Sequence, residues 1–195
     1  MKHFVIYIPG LGDKKMYAFA QRAALSLWRT SKVTPLYFVV GWADTRETYQ
    51  HKLQRLLRAI DTAVAKGYTV SIVAASAGSS LALTALAERK RAVHRVVSIC
   101  GKINHPQTVS DGLFAINPAF KDAMTVYAKI EPTLTAADRD KILIVRATRD
   151  SFVPAHDGEV AGAHTRTIHS MGHVFSIFMA ITVFRRISLR FIKAS

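Results

Sequence analysis

A serine, an aspartate and a histidine in this sequence each stand just past an apolar, β-branched run, and together these residue types can turn an alcohol into a nucleophile. Ser76 lies in Val73-Ala74-Ala75-Ser76-Ala77-Gly78-Ser79, where an apolar run gives way to a helix-forming stretch. Two residues to either side are Ala74 and Gly78. A serine on a sharp strand-to-helix turn needs small residues there, because strand and helix otherwise collide, and the turn lifts Oγ above the sheet edge. Taken alone, the pattern also fits a small-residue turn in any layered α/β protein. Ser79 and Ser80 lie one helical turn further on and suit capping or packing.

Asp150 follows the apolar run 142–147 in Thr148-Arg149-Asp150-Ser151-Phe152-Val153-Pro154. An acid just past a strand end suits the group that orients a catalytic imidazole, and a turn or cap residue is the plainer alternative. His173 follows Ser170-Met171-Gly172 and precedes the last helical stretch, so it can reach the same sheet edge. His156, His164 and His169 read as structural or exposed. The first apolar run ends in Ile8-Pro9-Gly10-Leu11-Gly12-Asp13. Glycine there lets the backbone of Leu11 swing an N–H toward the site, and with the N–H of Ala77 it makes a two-donor oxyanion hole. The competing phosphate-loop reading lacks both a third glycine and a Gly-Lys-Thr/Ser. This chemistry requires no metal and no cofactor.

The elements that must position these residues alternate. Strands are expected at 4–8, 33–40, 69–74, 93–99, 142–147 and 165–168, and helices at 14–29, after the 44–47 pattern as far as Gly67, at 77–91 and at 174–191. Asp13 is the expected cap of the first helix, and Asp44-Thr45-Arg46-Glu47 reads as a capping box for the second. Such alternation calls for an α/β fold: a doubly wound, mostly parallel six-stranded sheet with helices on both faces. One stretch breaks the rhythm. Residues 101–140 hold a single expected helix, 118–130, and an irregular insertion of that length reads as a lid or binding wall. The whole chain, 1–195, reads as one domain carrying that insertion.

The order Ser76, Asp150, His173, each after a strand, is the order of an α/β-hydrolase. On these residues the sequence resembles the α/β-hydrolase superfamily over nearly its whole length, and most closely its short, minimal-lid serine hydrolases. The resemblance implies strands in the order second, first, third, fourth, fifth, sixth. It also implies a serine hydrolase that cleaves an acyl ester or thioester through an acyl-enzyme. Ala74 stands where the family usually has Gly, and no His-Gly-Gly-Gly motif marks the oxyanion turn. A peptidase or amidase on the same three residues, and a non-catalytic binding protein on the same scaffold, remain the alternatives.

Substrate-contacting candidates are the residues near these strand ends and in the insertion: Gly10, Leu11, Trp42, Leu113, Phe114, Met171 and Val174. If they converge, the pocket is apolar and suits a small-molecule acyl substrate. The composition sets outer bounds. Half of the 195 residues are hydrophobic, which excludes intrinsic disorder. The single Cys100 excludes an internal disulfide framework and a multi-cysteine zinc site, and it fits a reducing, cytoplasmic setting. The net charge of +14 favours acidic partners. The cations are dispersed, however, with no basic arm, which argues against nucleic acid. An apolar stretch with a cationic end at 174–193 suits either packing on the sheet or peripheral contact with an anionic membrane. The sequence shows no targeting segment and leaves the oligomeric state open.

Overall fold

In the computed structural model, which describes residues 2–13 and 16–194, the apolar runs form six strands. They are β1 (His3–Ile8), β2 (Val33–Tyr37), β3 (Thr69–Ala75), β4 (Val93–Ile99), β5 (Ile142–Arg149) and β6 (His164–Met171). Around them run α1 (Met16–Ser26), α2 (Tyr49–Ala65), α3 (Gly78–Glu88), α4 (Asp111–Ile116), α5 (Pro118–Ile130), α6 (Ala136–Asp140), α7 (His173–Ile181) and α8 (Arg185–Lys193). The strand order is β2-β1-β3-β4-β5-β6, as expected. Every pairing is parallel, so the expected mostly parallel sheet is entirely so. The rims are β2, which carries Pro35, and β6, whose residues 164–167 are exposed.

Successive strand side chains point to opposite faces, and here both faces are dry. Ile6, Ile72 and Ile144 meet Leu57 of α2, Leu81 of α3 and Phe120 of α5 in one core. Their neighbours Tyr7, Val73 and Val145 meet Leu25 of α1, Ile177 of α7 and Ile192 of α8 in the other. This two-sided burial is why the strands read as unbroken apolar runs. Trp28 is fully buried, and its indole N–H donates to the Ile181 carbonyl at 2.7 Å, tying the segment after α1 to α7.

The structure departs from the sequence reading where local signals compete. The second helix starts after Thr48, whose side chain accepts the His51 N–H at 3.3 Å, and not at a capping box on 44–47. Asp44 instead binds Arg46 at 2.9 Å, and Glu47 binds Arg55 at 2.7 Å. Gly67, at φ 78°, does follow that helix, where a left-handed residue is needed. The expected start of the first helix at Lys14 lies outside the described residues. Buried Asp13 accepts the Gly41 N–H at 2.6 Å.

The expected last helix is two. Thr182 takes a non-helical φ of −111° and ψ of −83°, its hydroxyl donates to the Phe178 carbonyl at 2.7 Å, and the chain turns a corner before α8. The insertion holds the expected helix at Pro118–Ile130 and two more short ones, each capped by its own hydroxyl, Ser110 for α4 and Thr135 for α6.

Candidate active site

The turn at Ser76 is built by crowding. Ser76 lies between β3 and α3 at φ 50°, a left-handed conformation that costs a residue with a Cβ on the order of 1–3 kcal/mol. Three backbone bonds hold it there: the Ser76 N–H donates to the Ile99 carbonyl at 3.0 Å, and its carbonyl accepts from Ser79 at 3.0 Å and Lys102 at 3.1 Å. Gly78 has to be small, since a Cβ on it would come within 2.7 Å of the Ile8 carbonyl oxygen. Behind the turn, buried Ser79 and Ser98 share a hydroxyl hydrogen bond of 2.9 Å. These two serines pack and do not face the cleft.

Asp150 follows β5 on a turn of its own making: Oδ1 accepts the N–H groups of Phe152 at 2.9 Å and Val153 at 3.0 Å. That leaves Oδ2 for the imidazole of His173, whose Nδ1 is 2.8 Å away. The other ring nitrogen, Nε2, is 2.9 Å from Ser76 Oγ. An ionised carboxylate only accepts, so Nδ1 carries the proton and Nε2 is left to accept the Ser76 hydroxyl. His173 is the first residue of α7, not a loop residue, because β6 runs on to Met171. The Gly172 N–H, donating to the Arg149 carbonyl at 2.9 Å, fastens this corner to the strand carrying Asp150.

Burial pushes the Asp150 carboxyl up. The hydrogen bonds from His173, Val153 and Phe152 outweigh it, and its pKa lies below the ordinary value. Cys100 lies nearby in the fold; burial, followed by the Asp150 charge, pushes its thiol up to about 12, so it stays protonated and unreactive.

Ser76, Ala77 and His173 open onto a cleft of about 550 Å³. Gly10, Leu11, Leu113 and Val174 line it, as expected from the sequence. Three other candidates do not. Trp42 is fully buried beneath the first loop, where its indole N–H donates to the Pro9 carbonyl at 3.2 Å, so it props the cleft wall without facing it. Phe114 is buried against Phe120, with ring centroids 5.5 Å apart. Met171 is exposed and borders another cavity, of about 410 Å³, which Asp150 also lines.

The walls include residues the sequence did not single out: Val109 and Phe120 from the insertion, Phe152 and Val153 beside Asp150, Ile177 and Gln21. Ile177 was findable, since it lies one helical turn beyond Val174. Gln21 of α1 carries no local signal. Among the described residues, no acceptor engages the Ala77 N–H, which sits at the start of α3 beside Ser76. No helix among the described residues is long and apolar enough to cross a membrane.

No family model matches the sequence, and no curated relative matches it. Solved structures do match in fold. One of the metagenome-derived lipolytic enzymes LipS and LipT superposes with a TM-score of 0.71 at 15% identity, over 98% of this chain and 94% of that one. The monoacylglycerol lipase of Paleococcus ferrophilus gives a TM-score of 0.63 at 12% identity, over 98% and 95%. An alpha/beta hydrolase from a sediment metagenome of the Mar Chica lagoon, Morocco, gives 0.66 at 17% identity, over 99% and 91%. The chain therefore has the α/β-hydrolase fold that its sequence resembles.

Proposed function

We propose that the protein is a serine hydrolase that cleaves an acyl ester or thioester of a small molecule through an acyl-enzyme on Ser76. The observation that carries this reading is the unbroken relay from Ser76 Oγ to His173 Nε2, 2.9 Å, and from His173 Nδ1 to Asp150 Oδ2, 2.8 Å, at the mouth of a cleft. Its walls, with Leu11, Val109, Leu113, Val174 and Ile177, offer an acyl chain apolar contact and few polar partners. The lipolytic fold neighbours support the same reading.

In the reaction, Nε2 takes the Ser76 proton while Oγ forms a bond to the acyl carbon. Asp150 holds the tautomer and stabilises the imidazolium. The N–H groups of Ala77 and Leu11 receive the oxyanion, each such donor being worth about 3–4 kcal/mol of barrier. Collapse breaks the bond to the leaving oxygen or sulfur, which departs with the proton from Nε2. Water, deprotonated by the same nitrogen, then releases the acid and restores Ser76.

A fluorophosphonate probe tests the assignment, because it labels only an activated serine. The wild-type chain should label, and Ser76→Ala, with an unchanged circular dichroism spectrum, should not. Equal labelling of both proteins would remove Ser76 from the chemistry.

A further inference from the structure

We propose that His105, His156 and Asp157 form a binding site for a divalent transition-metal ion of the zinc type, outside the Ser76 relay. The ion would clip the insertion to the segment that follows β5. One donor atom from each of the three residues lies within 4.8 Å of the other two. Ligand atoms around a tetrahedral zinc with bonds of about 2.0–2.1 Å stand about 3.3 Å apart. His156 Nε2 and Asp157 Oδ1 are already 3.1 Å apart. The two imidazole rings meet edge to face, with centroids 5.2 Å apart. His105 has an exposed side chain, so its ring is free of packing that would oppose a turn toward the pair. The Gln107 amide, 3.3 Å from His105 Nδ1, gives way or turns its oxygen to that nitrogen.

Asp157 supplies the independent observation. Its side chain is wholly buried, yet Oδ1 accepts no hydrogen bond. The other oxygen is saturated, held by the Lys102 ammonium and by the Thr108 hydroxyl at 3.1 Å. The His156 ring, 3.1 Å away, makes no hydrogen bond to it. A buried carboxylate oxygen without a hydrogen bond is costly, and a cation shared by Oδ1 and that ring removes the cost. The bonds to Oδ2 meanwhile hold the carboxylate in one orientation, as the outer partners of metal-ligating carboxylates do. Lys102 opposes a second cation by charge alone and leaves the donor geometry intact. Two imidazoles with one carboxylate favour zinc-like ions over magnesium or calcium, which take oxygen ligands.

The position gives the ion a structural consequence. His105 begins the turn that leads to Thr108 and Val109, both in the cleft wall, while His156 and Asp157 lie in the turn Ala155–Gly158 that follows Asp150 and Val153. The Asp157 carbonyl already accepts from Ile103 at 3.0 Å and Asn104 at 2.8 Å. An ion would add side-chain bonds across the same seam.

The test uses the untagged, full-length chain, stripped with a chelator and dialysed against Zn²⁺ alone. One ion per chain should bind. At a hundredfold excess over its dissociation constant it should raise Tm by about 5–10 °C for a chain of this length, while Mg²⁺ should leave Tm unchanged. His156→Ala and His105→Asn should each abolish both effects; asparagine is chosen because residue 105 sits at φ 57°. His51→Ala, which removes an exposed histidine elsewhere, should keep both effects. Absence of stoichiometric binding by the wild-type chain overturns the proposal. So does a full Tm rise in His105→Asn, which would reduce the cluster to a His156–Asp157 ion pair. Ser76→Ala protein should bind Zn²⁺ like the wild type, so the outcome is independent of the hydrolase reading.

Discussion

A Cβ built on Gly10 would lie 2.9 Å from the Cβ of Ser76 and 3.5 Å from its Oγ. The first loop can lie against Ser76 only because residue 10 has no side chain. The constraint is one of space: besides the two Ser76 atoms, the Ala75 carbonyl oxygen would stand 3.4 Å away. On the proposed mechanism, Gly10→Ala should therefore push the Leu11 N–H away from where it would receive the oxyanion. A displacement of this kind costs about 100-fold in rate. Steady-state hydrolysis of a p-nitrophenyl ester should show the loss in kcat more than in KM. Unchanged kcat in a folded Gly10→Ala protein would exclude the first loop from transition-state stabilisation.

Asp150 spends one oxygen on its own turn and the other on His173. Asp150→Asn preserves the shape but removes the charge, and its amide can donate to Nδ1, stabilising the tautomer that cannot accept the serine proton. The expected loss in kcat is about 10⁴-fold. Circular dichroism and Tm should change far less than rate does. A variant retaining more than a tenth of wild-type kcat would show that His173 does not depend on this carboxylate.

The acid limb of stability should depend on Asp138, far from the cleft. Its carboxylate takes the Lys90 ammonium at 2.9 Å and caps α6 through the N–H and hydroxyl of Thr135. Burial raises its pKa, while Lys90 and Thr135 lower it further, to about 2. The folded pKa is thus below the unfolded value of about 3.9. The stabilisation is complete above the unfolded pKa and is lost as pH falls through the folded one. Asp138→Asn should melt lower than wild type at pH 6, and the gap should narrow between pH 4 and pH 2. A gap that stays constant with pH would show that the carboxylate charge contributes nothing.

Ser76, Asp150 and His173 were legible in the sequence because their signals are local: an apolar run, small residues at fixed offsets and a turn. Parallel strands then carry those three turns to the same sheet edge. Trp42 shows what was not legible. A tryptophan after a strand can face a cleft or fill the space beneath it, and the choice depends on Phe120 of α5, whose ring lies 6.1 Å from it. Phe114 is withdrawn from the cleft by the same residue. The cap of the second helix was misassigned because Glu47 fits a capping box by spacing but is claimed by Arg55, eight residues on. The Lys102–Asp157 pair spans 55 residues, beyond any local pattern.

Two features of the sheet rims bear on how the chain behaves among its own copies. A strand at a rim exposes backbone donors and acceptors to which another chain can add a strand, the usual start of aggregation. In β2, Pro35 has no N–H to offer, so the ladder is broken at its middle. In β6, the exposed Arg166 lies between His164 and His169, which are also exposed, and an approaching copy brings the same net charge of +14. One rim is thus blunted by a missing donor and the other by charge, and neither offers another chain an open template for extending the sheet.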